Sequence, residues 1–296
     1  MNVRFYGVNA TAGSEAMIRQ LSGEAPMTLR LCDIYTRHHR EQLVGARLLV
    51  RSGVLGADEH SLRLYHELAN EDTGAVAATF VHRLRRDSIG VDGNVVTIDL
   101  PEPLLRQANA NRIALPALGS ARSIVLASDP IASAPSLDVL RNRDLAMRKS
   151  RMIGPEECDE AGAYLAAAAP FLTWGGEPTS NKVLEMLHEL PGGVTMGWAS
   201  METRMVIARL PRLGDRVQSF SAAIALHDKV THRVQWVYDL ERGDLLTTFE
   251  IVNLAFDIKA RAAMSIPANI RSAERALVHE DLAPCPSTQS SQIHAE

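Results

Sequence analysis

The chain has 296 residues, of which 46% are hydrophobic and 22% are charged, and its formal net charge at pH 7 is -4. This length and hydrophobic content suffice for one large core or two medium ones. The nearly balanced charge gives no electrostatic basis for binding nucleic acid. No apolar run reaches the length that crosses a membrane, so we expect no membrane span.

The three cysteines, Cys32, Cys158 and Cys285, lie far apart and form neither a CxxC motif nor a metal-ligand spacing. This usage is typical of a reducing compartment. The first residues also lack the basic start and long apolar core of a signal peptide. We therefore expect a cytoplasmic protein with no metal site and no bound cofactor.

The first part of the chain predicts a helix followed by antiparallel strands. An amphipathic helix, SEAMIRQL (14–21), precedes a long strand within residues 27–43. A hairpin follows over residues 59–80, with a charged turn that contains Gly74. Along its first strand four side chains share one face at period two: Leu62, Leu64, His66 and Leu68. The next strand ends at the proline of IDLPEPLLR (98–106).

The middle of the chain differs from both ends in composition. Residues 107–148 are rich in Pro, Ser and Ala and predict a linker with one short helix near its end. An extended strand is expected next, within residues 148–158. The acidic cluster that includes Asp159 follows, and then the alanine-rich run 161–172, which predicts a buried helix.

The second part repeats the order of the first. A helix is expected at 180–190, a long strand at 201–217, a hairpin at 231–249 and a proline-ended strand at 264–271. Val234, Trp236, Tyr238 and Leu240 are matched to the four face-sharing residues of the first hairpin, so that Tyr238 pairs with His66. The repeat predicts four divisions: a first repeat (1–106), a linker (107–148), a second repeat (149–275) and a disordered tail (276–296). The first repeat lacks a counterpart of the Asp159 segment, so one active site per chain is expected.

A helix followed by a curved antiparallel sheet, present twice, resembles the α+β double hotdog architecture. GPEECDEAGAYL (154–165) resembles the entry motif of hotdog acyl-CoA thioesterases of the 4-hydroxybenzoyl-CoA thioesterase type. In that family an extended strand ends in Asp-x-x-Gly, usually followed by His, and leads into the central helix. ARAAMSIPANIR (260–271) resembles the family's closing strand, and LPALGSARSI (115–124) is similar to the inter-domain segment of some bacterial tandem forms.

The resemblance implies hydrolysis of an acyl-CoA or acyl-carrier-protein thioester and a role in lipid metabolism. Asp159 would act as nucleophile or general base, and a helix N-terminus would polarise the thioester carbonyl. CoA would be present only as part of the substrate. The substrate-binding residues are expected to be Gly162, Ala163, Asn181 and Trp174. Open sheet edges would also permit a homodimer.

Other interpretations remain open from the sequence. Asp159 is equally suited to cap the helix expected to start near Ala161. Asp33 and His38 have the Asp-x4-His spacing of hydratase-type hotdog enzymes, which act on enoyl-CoA, and Asp159 with a histidine of the first repeat would serve the same chemistry. Ala163 stands where the family usually has His, which also permits a non-catalytic acyl-thioester-binding protein.

Several polar residues have a simple structural interpretation. We expect Glu177 and Glu185 to be solvated and His66 to be an inert, hydrogen-bonded core histidine. Trp198 and Trp236, like Trp174, would line the core or an acyl pocket. Three arginines are weak candidates for binding CoA phosphates: Arg204, Arg209 and Arg212.

Overall fold

A computed structural model describes residues 3–23, 27–89, 95–165, 169, 172–179 and 187–284. The chain divides into two compact units. The first holds residues 1–121 and the second begins at Arg122. Within the described ranges no helix is long and apolar enough to cross a membrane.

Among its described residues the first unit contains two α-helices and five antiparallel strands. The helices are α1 (Val3–Ser22) and α2 (Glu102–Ala110). The strands are β1 (Arg30–His38), β2 (Leu48–Asp58), β3 (Ser61–Asn70), β4 (Val76–Ile89) and β5 (Val95–Ile98). The sheet has the order β2-β3-β4-β1, and β5 pairs with β4.

The core of the first unit lies between α1 and one face of this sheet. Leu62 and Leu64 of β3 are fully buried against Ile18 and Leu21 of α1. Leu104 of α2 joins the same cluster. Because side chains alternate along a strand, the leucines that share a face bury together and hold the helix on the sheet. The predicted helix at 14–21 is confirmed as the second half of α1.

The second unit contains eight strands and two short helices among its described residues. The strands are β6 (Ala146–Met147), β7 (Arg151–Met152), β8 (Leu187–Leu190), β9 (Val194–Ile207), β10 (Arg216–Leu226), β11 (Val230–Asp239), β12 (Leu245–Asp257) and β13 (Ala262–Ala263). The helices are α3 (Leu137–Arg141) and α4 (Ala268–Arg275). The sheet order is β9-β12-β11-β10-β6, with β13 on β12, β7 on β10 and β8 on β9.

A large apolar cluster among the described residues of the second unit lies on the sheet face that the inter-repeat segment covers. Val234, Trp236 and Tyr238 of β11 pack against Leu137 and Leu140 of α3. The Tyr238 hydroxyl donates a hydrogen bond to the carbonyl of Pro135. The segment predicted as a linker therefore contributes directly to the core of this unit.

The two hairpins are confirmed, and their turns show how the repeats correspond. Asn70 Oδ1 accepts hydrogen bonds from the next turn amides at 2.9–3.0 Å, and Asp239 Oδ1 does the same at 3.0–3.2 Å. The backbone bonds Gly74 N to Asn70 O and Gly243 N to Asp239 O also match. Each turn needs its glycine in the left-handed region, at φ values of +70° and +73°. Asn70 thus corresponds to Asp239.

This register corrects the predicted match between the strand faces. Extending the turn correspondence along β3 and β11 places His66 opposite Gln235 in the repeat, and not opposite Tyr238. The observed and predicted alignments of the two strands differ by an odd number of residues. A shift by an odd number moves every side chain to the other face of the sheet. Leu62 and Leu64 face α1, whereas Val234 and Trp236 face the inter-repeat segment.

Two predicted helices are also corrected. No helix starts near Ala161, because Gly162 has φ +73° and Tyr164 forms an isolated bridge with Cys158. Residues 166–168 and 170–171 of that run lie outside the described residues. The helix expected at 180–190 is wrong for its last four residues, because Leu187–Leu190 is the strand β8. Residues 180–186 lie outside the described residues.

The two proline exits are confirmed, and part of the predicted tail is ordered. Pro101 precedes α2 and Pro267 precedes α4. The chain then continues past α4, where His279 N donates to Ala223 O at 2.8 Å and Leu282 is buried. Residues 276–284, predicted to be disordered, therefore pack on β10, while 285–296 lie outside the described residues.

Buried charges of the strands hold the inter-repeat segment. In the first unit Arg37 Nη1 donates to the carbonyls of Leu118 and Ser120 at 3.0 and 2.8 Å. In the second unit the carboxylate of Glu202 accepts from three successive amides, Arg122 to Ile124, at 2.9–3.4 Å. Arg204 Nη1 donates to carbonyls of the same stretch. Charge-assisted hydrogen bonds of this kind satisfy a backbone that has no strand partner.

Replacing Glu202 by Gln should release the segment that begins at Arg122. One carboxylate oxygen becomes an amide nitrogen that faces a backbone N–H, so we expect a loss of about 1–3 kcal/mol in the free energy of unfolding. Urea denaturation measures this loss, and limited proteolysis should cut residues 122–128 faster. Glu241→Gln on an exposed turn is the control. Equal stability and equal cleavage for the two variants would contradict the role given to Glu202.

Candidate functional site

The Asp159 carboxylate lies at an exposed turn, fixed by the turn's own backbone. Its Oδ1 accepts hydrogen bonds from Ala161 N at 3.0 Å and from Ala163 N at 2.9 Å. The backbone closes the turn as well, with Asp159 N donating to Ala163 O and Gly162 N donating to Asp159 O. One carboxylate oxygen is thus anchored while the side chain stays exposed to solvent.

Gly162 and Ala163 tie this turn to a neighbouring loop. Leu213 N donates to Gly162 O at 2.9 Å, and Ala163 forms a bridge with Arg212. A Cβ added to Gly162 would meet only Leu213 Cβ, at 3.6 Å. The glycine is therefore required for its left-handed φ and not for lack of space.

The base of the turn is held by an ion pair beneath it. Arg151 donates two parallel hydrogen bonds to Glu157, at 2.6 and 2.8 Å. The Tyr164 hydroxyl also donates to Glu157, at 3.3 Å. Burial, with the nearby Glu157 charge, raises the pKa of Tyr164 to about 12, so the phenol stays protonated. Glu157 and Arg151 were missed by the sequence reasoning, which read Glu157 only as part of an acidic cluster.

This geometry changes what the turn can do chemically. The amides of Ala161 and Ala163 already donate to Asp159, so they do not point at a substrate carbonyl as a helix N-terminus would. The second carboxylate oxygen can accept a proton or a hydrogen bond from a bound molecule. Asp159 caps its own turn, and the helix cap considered from the sequence is not formed.

The remaining candidates of the second unit make other contacts or lie outside the described residues. The half-buried Trp174 makes an edge-to-face contact with Phe249, with ring centroids 6.1 Å apart. Glu177 is exposed and pairs with Lys149 at 2.6 Å, as expected of a solvated residue. Asn181 and Glu185 lie outside the described residues.

The arginines predicted for CoA phosphates differ in availability. Arg204 is buried and holds the inter-repeat segment. Arg209 bonds to Asp239 at 2.6 Å and to Asp215 at 3.2 Å. Arg212 is exposed on the loop that bridges Ala163.

The hydratase pair predicted in the first unit is not assembled. Asp33 and His38 lie on β1, where Asp33 is opposite Arg83 and His38 is opposite Ala78. Side chains an odd number of residues apart on one strand point to opposite faces, so these two groups do not converge. Burial lowers the pKa of His38 to about 4, which keeps its imidazole neutral.

His66 is a core histidine, as predicted, within a network that the sequence did not reveal. Ser14 Oγ of α1 lies 2.8 Å from His66 Nε2 and 2.8 Å from His82 Nδ1. Ser52 Oγ lies 2.7 Å from His66 Nδ1. Burial lowers the pKa of His66 to about 4 and that of His82 well below its usual value. The four side chains satisfy one another and leave both rings neutral in the core.

Metal-ligand groups were searched over the described part of the chain. There, no group of three or more His, Cys, Asp and Glu is placed to hold a metal ion. Cys32 is buried and Cys158 is half-buried, and both are free thiols.

Several solved structures match the fold over most of the chain, and two of them are thioesterases that act on acyl-ACP by their names. The 12:0-ACP thioesterase from Umbellularia californica has a TM-score of 0.58 at 9% identity, covering 84% of this chain and 87% of its own. An acyl-ACP thioesterase from Bacteroides thetaiotaomicron has a TM-score of 0.56 at 10% identity, covering 86% of this chain and 90% of its own. No protein-family model and no curated protein sequence matches the chain.

These matches and the two units establish the fold. The chain has an α+β double hotdog fold, and the predicted resemblance to hotdog-fold thioesterases is confirmed at the level of fold.

Replacing Gly162 by Ala should weaken the Asp159 turn. The φ of +73° costs an alanine about 1–2 kcal/mol, although the space for its methyl group is present. Urea denaturation should therefore show a lower free energy of unfolding. Gly7→Ala is the control and should not lower the free energy of unfolding. Gly7 lies within α1 with open space at its Cβ, and alanine favours a helix. A Gly162→Ala variant as stable as wild type would contradict the strain.

The neutral histidines predict a loss of stability in mild acid. His66 has a pKa of about 4 when folded and near 6.5 when unfolded, so the unfolded chain binds more protons between these values. Stability is therefore full above pH 6.5 and falls as the pH drops toward 4, by at most about 3 kcal/mol for His66. Urea denaturation at several pH values measures this slope.

The variant His66→Gln tests this explanation, because the second unit carries Gln at the equivalent position. Its free energy of unfolding should change less steeply with pH between 6.5 and 4. His60→Gln is the matched control, because His60 is exposed on the turn between β2 and β3. An unchanged slope in His66→Gln would mean that other groups cause the acid sensitivity.

Proposed function

We propose that this protein hydrolyses an acyl thioester and that Asp159 is its catalytic carboxylate. The observation that carries the proposal is the double hotdog fold, shared over most of the chain with an acyl-ACP and a 12:0-ACP thioesterase. The exposed carboxylate anchored through one oxygen is consistent with this activity. The substrate would be an acyl-CoA or acyl-carrier-protein thioester.

In this mechanism Asp159 acts as a general base on a water molecule. The turn holds Oδ1 through two amides, so Oδ2 is oriented without rearrangement and takes a proton from the water. The water oxygen bonds to the thioester carbonyl carbon, and the carbon–sulfur bond then breaks. The proton returns from Asp159 to the departing thiolate, so the products are a carboxylic acid and a free thiol.

A second candidate function is binding of an acyl thioester without hydrolysis. Two observations favour it: Ala163 occupies the position where the resemblance implies His, and the amides of the turn are already bonded to Asp159. A site without a second acid–base group and without free amide donors loses much of the usual stabilisation of the transition state.

Location and assembly are proposed from the sequence. We expect a cytoplasmic protein of lipid metabolism whose open sheet edges permit a homodimer. Size-exclusion chromatography with light scattering measures the assembly directly.

Asp159→Asn tests the catalytic proposal without removing the turn. An asparagine oxygen still accepts the two amide hydrogen bonds, whereas the amide group cannot serve as a base. We expect release of free thiol from short, long and aromatic acyl-CoAs to fall at least about a hundredfold, with an unchanged thermal midpoint. Glu160→Gln, an exposed acidic neighbour, is the matched control and should keep full activity.

Two results would reject this assignment. Unchanged turnover in Asp159→Asn would exclude Asp159 as the base while leaving the thioesterase activity in place. Binding of acyl-CoA by wild type with no release of thiol from any substrate would favour the non-catalytic binding protein.

A further inference from the structure

The Asp159 turn supplies a base for hydrolysis, but its amides are already engaged. Ala161 N and Ala163 N donate to Asp159 Oδ1, and Gly162 N donates to Asp159 O at 2.9 Å. When water adds to a thioester, the carbonyl oxygen becomes an oxyanion, which is stabilised by N–H donors or positive charge that face it. At this turn such a donor has to come from another segment.

The loop that carries Arg212 lies directly beside the turn. Ala163 and Arg212 form an antiparallel bridge, and one backbone hydrogen bond lies on each side of it: Tyr164 N to Pro211 O at 3.2 Å and Leu213 N to Gly162 O at 2.9 Å. In a pair of this kind the two Cα atoms are about 4.5 Å apart and the two side chains lie on one face. Arg212 therefore extends from the same face as Ala163.

Ala163 is the residue that separates the two charged groups. Its amide holds the Asp159 carboxylate at 2.9 Å, and its neighbour across the bridge is Arg212. The side chain of Ala163 is one methyl group, so it leaves more room on this face than the histidine that the resemblance implies here. Asp159 and Arg212 are both exposed, so a molecule that arrives from solvent reaches both of them.

The loop holds the backbone of Arg212 in place. Arg212 N donates to Asp215 Oδ2 at 2.9 Å, and Asp215 N donates to Arg212 O at 3.0 Å. Asp215 is held in turn by Arg209 at 3.2 Å, and its carbonyl accepts from Ile153 N at 2.9 Å. The carboxylate and the guanidinium thus start from two segments in a fixed relative position. Orientation of a substrate between two groups requires such a frame.

This position favours the thioester carbonyl over the phosphates of CoA as the group that Arg212 contacts. The whole pantetheine arm separates the sulfur atom of CoA from its nearest phosphate. A cation one residue away from the base therefore lies near the reacting carbonyl and far from the phosphates. The guanidinium is a positive charge with five N–H donors, and it suits an oxygen on which negative charge develops.

We propose that Arg212 is a second catalytic residue, whose guanidinium binds the thioester carbonyl oxygen and the oxyanion formed from it. This inference rests on the proposed hydrolysis with Asp159 as base. As the water oxygen bonds to the carbonyl carbon and its proton passes to Asp159, the C=O electron pair moves onto the oxygen that Arg212 holds. The pair then re-forms the C=O bond, the carbon–sulfur bond breaks, and the proton passes from Asp159 to the thiolate.

The kinetic test compares Arg212→Gln and Arg212→Lys with wild type on an acyl-CoA and on the same acyl group carried by pantetheine. We expect Arg212→Gln to lower kcat roughly a hundredfold with little change in KM, because the contact strengthens in the transition state. The loss should be equal for the two substrates, which share the carbonyl. Arg212→Lys keeps the charge and should retain more of kcat.

The matched control is Arg216→Gln. Arg216 is also exposed, and its side chain donates to Ser150 Oγ at 3.2–3.3 Å. It should keep the kcat of wild type. The thermal midpoint should stay unchanged in both Arg212 variants, since residue 212 is bonded to the turn and to its own loop through the backbone.

A binding measurement tests the same contact without turnover. The probes are a trifluoromethyl ketone thioether of pantetheine, which adds water to give a tetrahedral diol that is not cleaved, and the plain propyl thioether. We expect Arg212→Gln to weaken calorimetric binding of the ketone at least about tenfold and to leave the propyl thioether unchanged.

Three results would overturn the role of Arg212. The first is an unchanged kcat in Arg212→Gln. The second is a loss that appears in KM and only with the acyl-CoA, which would assign Arg212 to the phosphates. The third is an equal change in affinity for the ketone and the plain thioether.

The two proposals fail separately. If wild type releases thiol from no substrate, the proposed hydrolysis fails, and the ketone alone decides whether Arg212 binds the carbonyl oxygen. If Asp159→Asn is inactive while Arg212→Gln is fully active, the hydrolysis stands and the role of Arg212 is rejected.

Discussion

The register of the two hairpins is the constraint on which the rest of the structure depends. In each hairpin a side-chain oxygen, from Asn70 or Asp239, binds the turn amides and a left-handed glycine closes the turn. Because side chains alternate between the faces of a strand, this register decides which residues meet a helix and which meet the inter-repeat segment. With one register the first unit buries leucines against α1, and the second buries Val234 and Trp236 under α3.

Much of the fold could be predicted from local patterns. Alternation of apolar residues, turn glycines and strand-ending prolines located both hairpins and both exits, since these signals act within a few residues. The match between Tyr238 and His66 was wrong because two strands with alternating apolar residues can be aligned at several offsets. Only the hydrogen bonds of the turns distinguish these offsets, and they depend on backbone geometry.

The candidate site was less predictable than the fold. The motif located the Asp159 turn, but alanine content suggested a helix where the positive φ of Gly162 and the carboxylate of Asp159 produce a turn. Helix propensity is a weak preference that a single side-chain hydrogen-bond network can override. The partners of His66 and the bridge between Ala163 and Arg212 involve residues distant in sequence, so no local pattern could reveal them.

The way the inter-repeat segment is held has a consequence for how the protein can be divided. Leu137, Leu140 and Leu145 belong to the core of the second unit. The side chains of Glu202 and Arg204 bind backbone groups that lie before these leucines in the chain. A fragment that starts at residue 149 would expose Trp236 and Phe220 to water and would lack the backbone groups that Glu202 and Arg204 bind. The shortest autonomous form of the second repeat therefore begins near Arg122, and the segment between the repeats is an integral part of that domain's interior.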